Sequence, residues 1–528
     1  MHDLSTAVMA MPSAPHSSSD VLLIEDQSQQ HLPARTLAAV LQRAGLRAQL
    51  AHLSDQDMGA VVALAQRARP RLIVFSILFA DCVPEHLALV TALRESGVRA
   101  HMTMTGPLPT FACAELLAAC PALDSVLRGE AEASVVQLAS SLCHSEPRRG
   151  EESLSRGEVL ISPLLSRQRR GRGRGWGPKP LNLNDLPFPL RDDGVPDYRG
   201  YGFATVEASR GCYHACAFCL PCAFYRAMGA PYRLRSISNF MDEIEALYQR
   251  GTRLFLFDDE QFLPPGRARE KRVDEWDREL ERRKLRVAFT IKCRADDVEG
   301  SLFRRLKEMG LLRVYVGVES GCQETLDRLG KGVTAQRNAE ALAILDELEI
   351  VADFRSLLFH PWSTLETSQA DLAFLHGVMP HVATCFSFRE VEVYPGTPLA
   401  DRLKSEGRGQ GDPWPLSYII GDPRVELLRR LSRLVFNPTQ DLLTQAWFAC
   451  LLRRRFERES DADEASRLKV TAARVNSESL GVWQDMLQFA RKGDIYDAGQ
   501  INERASAWAG LVNSVCAQAQ GKLEGRQR

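Results

Sequence analysis

The chain has 528 residues, 45% of them hydrophobic and 25% charged, a composition that permits folded cores and, at this length, about three domains. Its net charge of −1 gives the whole molecule no electrostatic preference for nucleic acid or an anionic membrane. Thirteen cysteines are too sparse for a disulfide scaffold, so a tight group of them points to metal.

No segment approaches the apolar length of a membrane span, and the longest candidate, Leu72 to Ala80, reads as a buried strand. Met1 to Ser19 lacks a basic region followed by an apolar stretch, so it is predicted to be a flexible tail and the compartment the cytoplasm.

From residue 20 the sequence alternates. Val21 to Ile24 is a predicted strand; a helix with Leu37, Val40, Leu41 and Ala44 on one face follows and stops at Gly45. Next come a strand at Arg47 to Leu50, a helix over Met58 to Ala68, the strand Leu72 to Ile77, a helix over His86 to Ser96 and a strand at Ala100 to Met104. This order predicts an α/β, Rossmann-like doubly wound parallel sheet over residues 20–145. Residues 146–200 read as a linker, because Arg/Gly-rich and Pro-rich runs (Arg167 to Gly177, then as far as Pro196) replace the alternation. The Arg/Gly run is read as a solvated crossover rather than an RNA contact.

Alternation resumes over residues 201–405, with strands at Phe203 to Val206, Leu254 to Phe257, Val287 to Ile291, Val314 to Val318, Phe354 to Phe359 and Phe386 to Val393. Six such units suit a partial (β/α)6 barrel. Over residues 406–528 only helices are predicted, beginning with the stripe Leu427, Leu428, Leu431, Leu434 and Val435. Trp447, Phe448 and Trp483 read either as a substrate cover or as an apolar face packed on the barrel.

Three cysteines, Cys212, Cys216 and Cys219, follow the first barrel strand within one loop. A loop is free of helical or strand periodicity, so the three thiolates can converge, and soft thiolates select zinc or iron–sulfur. Structural zinc wants four ligands, often as two pairs, and no second pair stands at a supporting spacing. Three thiolates on a four-iron cube leave one iron open. Cys222, three residues on, reads as a buried thiol, with a fourth ligand or a substrate-side thiol as the other readings.

The spacing Cys-x3-Cys-x2-Cys, with Phe218 before the last cysteine and a barrel strand ahead of it, resembles the radical SAM superfamily. That resemblance implies a [4Fe–4S] cluster on Cys212, Cys216 and Cys219 and S-adenosylmethionine at its open iron. It also implies Asp258 and Asp259 near the amino end of S-adenosylmethionine, Lys292 and Arg294 toward its carboxylate, and Glu319 with Ser320 at the ribose. These residues and Tyr394 to Pro398 fall at strand carboxyl ends, where barrel chemistry is expected. The bland alternatives are that Asp258 caps a helix and that Arg294 pairs with Asp296.

In the first domain the candidate ligand positions at strand ends are Gly45, Ser76, Gly106-Pro107-Leu-Pro-Thr110 and Arg128-Gly129-Glu130-Ala-Glu132. No Gly-x-Gly-x-x-Gly follows the first strand, so a dinucleotide is not expected. These segments, with Leu183 to Pro189 of the linker, resemble the cobalamin-binding domain that precedes one large class of radical SAM barrels. Asp26 and His31 stand at the wrong spacing for the Asp-x-His-x-x-Gly cobalt ligand, so the resemblance implies cobalamin without a protein His lower ligand. A domain that keeps the fold and binds nothing is the alternative.

The class implies reductive cleavage of S-adenosylmethionine to a 5′-deoxyadenosyl radical, hydrogen abstraction from an unactivated carbon and methyl transfer from methyl-cobalamin. A small-molecule substrate and an electron donor such as a ferredoxin or flavodoxin are implied, with no nucleic acid and no membrane partner. Two rivals remain: a non-methylating rearrangement or cyclisation with the same cofactors, and a zinc-stabilised cobalamin or redox sensor.

Overall fold

The computed structural model describes residues 19–25, 32–53, 58–78, 80–144, 158–161, 180–191, 194–382, 384, 388–411, 414, 416–436, 442–457, 462–493 and 497–524. Two compact units divide the protein, the first comprising residues 1–252, 393–405 and 411–417, the second 253–392, 406–410 and 418–528.

Unit one opens with β1 (Val21–Glu25), α1 (Leu32–Arg43), β2 (Ala48–His52), α2 (Met58–Ala68), β3 (Leu72–Ser76), α3 (Val83–Glu95) and β4 (His101–Thr105). It continues with α4 (Pro107–Phe111), α5 (Cys113–Ala119), β5 (Ser125–Arg128), α6 (Glu132–His144) and β6 (Glu158–Ile161). The six strands lie in the order β2-β1-β3-β4-β5-β6, all parallel. Parallel strands covered on both faces need no polar side, which is why all of β1 and β3 is buried. The predicted strands and helices fall where the apolar patterning placed them, within a few residues. The sixth strand comes from the stretch whose composition reads as a linker, while the Arg167 to Gly177 run lies outside the described residues. Strand order reverses between β1 and β3, the crevice in which open α/β sheets hold ligands at their carboxyl edge.

The same unit then carries β7 (Asp197–Tyr198) and β8 (Tyr201–Val206) as an antiparallel pair, and β9 (Ser209–Gly211), α7 (Leu220–Ala227), β10 (Tyr232–Leu234) and α8 (Ile237–Gln249). β9 and β10 pair antiparallel and bracket the cysteine loop and α7.

Unit two holds β11 (Thr252–Phe257, starting at the boundary), α9 (Ala268–Arg283), β12 (Ala288–Arg294), α10 (Gly300–Met309), β13 (Leu311–Gly317), α11 (Gln323–Arg328), α12 (Ala335–Glu347) and β14 (Val351–Asp353). β11 through β14 are neighbours in sequence order and all parallel. The strand expected over 354–359 is found as β15 (Ser356–Phe359), two residues shorter at its start, and β14 precedes it as a strand that was not expected; β15 pairs with β16 (Phe388–Glu390), and α13 (Leu365–Val378) joins them. Phe257, Phe262, Trp276 and Phe289 form one aromatic cluster behind β11 and β12, with Trp276 and Phe289 4.6 Å apart. Such packing adds to simple area burial.

Helix α14 (Pro398–Ser405) belongs to unit one. After it, short strands occur at Gly409–Gln410 and Ser417–Tyr418, where only helices were expected. Unit two ends in α15 (Pro423–Val435), α16 (Leu442–Phe456), α17 (Ala462–Arg491) and α18 (Ala498–Glu524). Of the predicted stripe, Leu428, Leu431 and Val435 are buried but Leu434 is exposed, because Arg429 and Ser432 take the inner positions beside them. Trp447, Phe448 and Trp483 are fully buried, and Trp483 Nε1 donates to Ser432 Oγ at 3.2 Å. Here they are core packing. Among the described residues no helix is long and apolar enough to cross a membrane.

Candidate functional site

The cysteine loop begins at Gly211, whose φ of 82° and position leave no room for a larger residue: a Cβ there would lie 2.2 Å from the Pro231 carbonyl oxygen. Arg226, on α7, donates to the carbonyl oxygens of Tyr213 (3.1 Å) and His214 (2.8 Å), and Leu399 N donates to Ala217 O at 2.9 Å. The loop is therefore pinned from three sides. Cys212 and Cys216 are buried, Cys219 is half-buried, and Cys219 N donates to Cys216 O at 3.3 Å. Cys222, on the first turn of α7, hydrogen-bonds the thiols of Cys212 and Cys219; those contacts, with burial, hold its own thiol proton on. Among the described residues no three His, Cys, Asp or Glu converge as one metal ion would require. Three pinned soft donors on one loop are nonetheless the donor chemistry of an iron–sulfur cube, whose irons are spread over several sites.

Glu130 follows β5 and is taken up by two arginines. Arg233 reaches it at 2.6 and 3.0 Å and Arg210 at 3.0 Å, while Arg210 also binds Glu132 at 2.5 Å and Glu207 at 2.8 Å. Burial pushes the Glu130 carboxyl upward, but the two guanidinium groups outweigh it and hold it below the usual carboxylate range. Arg210 is on β9 and Arg233 on β10, so this network fastens the carboxyl edge of the first sheet to the strands that bracket the cysteine loop.

The other candidate cobalamin positions gather at the same carboxyl edge. Ser76 ends β3 opposite Thr105, which ends β4. Gly106 has φ 123°, and a Cβ on it would stand 2.2 Å from the Ile77 carbonyl oxygen, so only glycine lets the backbone turn there into Pro107 and α4. Thr110 Oγ1 donates to Gly106 O (2.8 Å) and accepts from Gly129 N (2.9 Å), which joins the ends of β4 and β5. Gly129 packs under Met228, whose sulfur would meet a Cβ at 2.8 Å. Thr105, which the sequence did not single out, is buried and its Oγ1 has no hydrogen-bond partner among the described residues. An orphaned buried hydroxyl beside Ser76 suits a bound ligand with polar edges. Glu25, at the end of β1, is fully buried against Arg35 (3.1 Å) and receives His52 Nδ1 at 3.0 Å. Asp26 and His31 lie outside the described residues.

In unit two the candidate S-adenosylmethionine residues form two linked groups. Lys292 Nζ donates to Asp258 Oδ1 (2.8 Å) and to its carbonyl oxygen (3.1 Å). Burial disfavours the lysine charge, but Asp258 and its acidic neighbours Glu260 and Asp259 prevail and raise its pKa. Asp259 is fully buried. Arg294 binds Asp296 at 2.8 Å and Lys331 O at 2.6 Å, and Lys331 Nζ binds Glu319 Oε1 at 2.7 Å. Glu319 has φ 65°, a left-handed conformation unusual for a branched or long side chain, held because its carbonyl oxygen accepts from Leu357 N. Gly317 makes room for the pair, since a Cβ there would lie 2.5 Å from Lys331 Nζ.

Ser320 is buried and donates to Asp371 Oδ1 at 2.6 Å; Gly321 N (2.7 Å) and Cys322 N (3.2 Å) donate to the same oxygen. Burial raises the Asp371 carboxyl to about 6 against those three hydrogen bonds. Asn338 holds the loop from below, donating to Val318 O (2.9 Å) and Ser320 O (3.1 Å). Lys331, Asn338 and Asp371 escaped sequence reasoning, because nothing in their spacing links them to the Gly-Val-Glu-Ser-Gly segment.

Comparison with known proteins agrees with this architecture. Residues 206–361 match the radical SAM superfamily model and residues 27–139 the B12 binding domain model. An uncharacterized methyltransferase of Pyrococcus horikoshii, PH0819, is 28% identical over 365 residues, 67% of this chain and 72% of that one. The hopanoid C-3 methylase of Methylococcus capsulatus is 26% identical over 336 residues, with 62% of this chain and 60% of the relative covered. The anaerobic magnesium-protoporphyrin IX monomethyl ester cyclase of Rubrivivax gelatinosus is 26% identical over 268 residues, covering 49% of this chain and 45% of the cyclase. The solved structure of the cobalamin-dependent S-adenosylmethionine radical enzyme OxsB, with aqua-cobalamin bound, superposes with a TM-score of 0.62 at 15% identity, over 96% of this chain and 81% of that one.

These likenesses define the class: an α/β protein with a B12-binding domain, a curled radical SAM half-barrel sheet and a helical C-terminal region. The chain thus joins a match to the radical SAM superfamily with a match to the B12 binding domain, each over less than a third of its length. Those two domains imply a [4Fe–4S] cluster, S-adenosylmethionine and cobalamin as cofactors, and a reductant and a substrate as partners.

Proposed function

We propose that this enzyme transfers a methyl group to an unactivated carbon of a small-molecule or natural-product intermediate. The observation that carries this reading is the pairing of a B12-binding domain with a pinned Cys-x3-Cys-x2-Cys loop in one protein whose relatives include an uncharacterized methyltransferase and a hopanoid C-3 methylase. Bound together, the cluster and cobalamin supply reductive cleavage of S-adenosylmethionine and a transferable methyl group.

The protein's own residues divide the work of positioning. Cys212, Cys216 and Cys219 hold the cluster and leave one iron open. Glu319, fixed by Lys331, accepts from the two ribose hydroxyls, with Ser320 shaping the same loop. Lys292 and Arg294 hold a carboxylate, and Asp258 and Asp259 an ammonium. Ser76, Thr105, Gly106, Pro107, Thr110, Gly129 and Glu130 would shape the edge that receives cobalamin, which this reading takes to be held without a protein His ligand. The reading places the enzyme in the cytoplasm, supplied with electrons by a ferredoxin or flavodoxin and acting without nucleic acid or membrane.

Anaerobic purification with cluster reconstitution, followed by iron, sulfide and cobalamin counts and incubation with S-adenosylmethionine and a low-potential reductant, tests it. About four irons and one cobalamin per molecule are expected, with 5′-deoxyadenosine and S-adenosylhomocysteine both produced. Cys216→Ala is expected to lose iron and deoxyadenosine together. Zinc without iron, and no cleavage, would sink the reading. A ring closure with deoxyadenosine but no added methyl in the product would favour the second reading, to which the cyclase relative gives weight.

A further inference from the structure

The face of β12 and β13 that bears candidate S-adenosylmethionine residues carries a second group of side chains, outside that set. Phe289 packs on Trp276 of α9, so strand alternation turns Thr290 and Lys292 to the face away from that helix. Tyr315 is the register partner of Lys292 and shares its face, as does Gly317 two residues on. The Arg355 Cζ stands over the Tyr315 ring, 5.6 Å from its centre, within range of a cation–π contact. Arg355 is one residue before Ser356, the ladder partner of Glu319, and is therefore a near neighbour of the candidate ribose residue. Arg389, exposed on β16, is the register partner of Leu357, two residues beyond Arg355. Arg433 of α15 binds Glu390 at 2.6 Å, so alternation turns Arg389 to the side of β16 away from α15.

The charges of this group are unbalanced. Asp353 is taken by Arg313, and Glu319 by Lys331. None of the side chains of Tyr315, Arg355 and Arg389 has a hydrogen-bond or ion-pair partner among the described residues, although Arg355 is half-buried. Burial, with the Glu319 and Asp353 charges, keeps the Tyr315 phenol protonated against the pull of the two arginines, so its hydroxyl is a donor. A half-buried cation is costly unless a counter-charge is supplied. Two guanidinium groups and a phenol without a carboxylate complement an oxyanion.

We propose that Tyr315, Arg355 and Arg389 receive an oxyanion, a phosphate or a carboxylate, carried by the substrate, which makes the substrate an anionic small molecule. Only the identification of that anion with the methyl acceptor rests on the methyltransferase reading; the anion site itself does not.

The test is equilibrium dialysis of radiolabelled inorganic phosphate against the full-length protein, with acetate as competitor and S-adenosylmethionine binding followed in parallel. Wild type is expected to bind phosphate saturably. Arg355→Ala and Arg389→Ala are each expected to weaken that binding about tenfold or more, and Arg355→Lys less, while S-adenosylmethionine binding is unchanged. Arg282→Ala, on the surface of α9, is expected to leave both ligands bound as in wild type. Phosphate that resists acetate points to a phosphate-bearing substrate, and phosphate that acetate displaces to a carboxylate-bearing one; either supports the site. No saturable phosphate binding by wild type, or equal binding by wild type and both arginine variants, would overturn it. So would loss of S-adenosylmethionine binding in Arg355→Ala with phosphate binding intact, since the arginine would then serve the cofactor. If Arg355→Ala fails to fold, Arg355→Lys and Arg389→Ala decide. Absence of an added methyl in the products of the reconstituted enzyme would count against the methyltransferase reading, while the dialysis would still decide the anion site.

Discussion

Asp371 and His360, both buried in unit two, carry pH dependences of opposite sign. Burial lowers His360 to about 4, helped by the Arg328 charge, and its ring accepts from Trp362 N at Nδ1 and meets Thr325 Oγ1 at Nε2. An unfolded His binds a proton below about 6.5 that the folded one refuses, so its stabilising contribution is present above that pH and is lost as pH falls toward 4. Asp371 runs the other way. Its folded pKa of about 6 lies above the unfolded value, so its contribution is full below about 4 and disappears as pH rises through 6. Over pH 4 to 6 the two nearly cancel. Asp371→Asn keeps an oxygen for Ser320, Gly321 and Cys322 but removes the titration, worth about 3 kcal/mol at most. The variant's Tm is therefore expected to climb steeply from pH 4 to 6.5, where that of wild type is flatter; parallel profiles would refute the assignment. Neither residue was legible from the sequence, because a lone buried His or Asp has no signature until its neighbours are known. The position of Glu319 just past the end of a strand was legible. Its partner Lys331 was not.

At the scale of elements, the turn from β4 into α4 is the position most dependent on a single residue. Gly106 combines φ 123° with a carbonyl oxygen 2.2 Å from where a Cβ would sit, whereas Gly45, at φ 82° after α1, has nothing within 4 Å. Gly45→Ala meets only the backbone preference, about 1 kcal/mol. Gly106→Ala adds a backbone clash that no rotamer relieves, and the expected loss is about 2–3 kcal/mol. Equal losses in urea titrations of the two variants would show that the close approach to Ile77 is not maintained in solution. Element type was readable wherever burial imposed one pattern. Leu72 to Phe75 is apolar without interruption because the strand is buried on both its faces, and α2 falls where a helix over Met58 to Ala68 was expected. The failures have local causes. Glu158 to Ile161 sits among charged and small residues that mimic a linker, yet it completes a sheet edge beside β5. Val351 to Asp353, ahead of the strand expected at 354–359, pairs with β13 and carries the Asp353–Arg313 ion pair, and past Phe354-Arg355 the backbone pairs with β16 instead.

At the scale of the whole molecule, a net charge of −1 conceals large opposed charges, and their worth depends on burial. On α9, Glu279 pairs with Arg282 and Arg283 at the surface, which holds its carboxyl down at about 2, yet such pairs are screened and contribute 0 to about 1 kcal/mol. The Glu130 network differs in kind. Glu130 lies 80 residues from Arg210 and 103 from Arg233 in sequence, all three are at most 14% exposed, and they join the end of β5 to β9 and β10 within unit one. Desolvation offsets much of the Coulombic gain of such a network, but removing Glu130 leaves the buried Arg233 without its carboxylate, while Arg210 keeps Glu132 and Glu207, a loss of about 3 kcal/mol. Glu130→Ala is therefore expected to strip hydrogen-exchange protection from β9 and β10 while β1, β3 and β4 keep theirs, and to lower iron uptake although no cysteine has changed. Glu279→Ala is expected to do neither. If Glu130→Ala left β9 and β10 protected and reduced only cobalamin retention, Glu130 would be a cofactor contact rather than a fastening of the cysteine loop, since loss of a ligand contact at the sheet edge would not by itself release strands that the arginines hold.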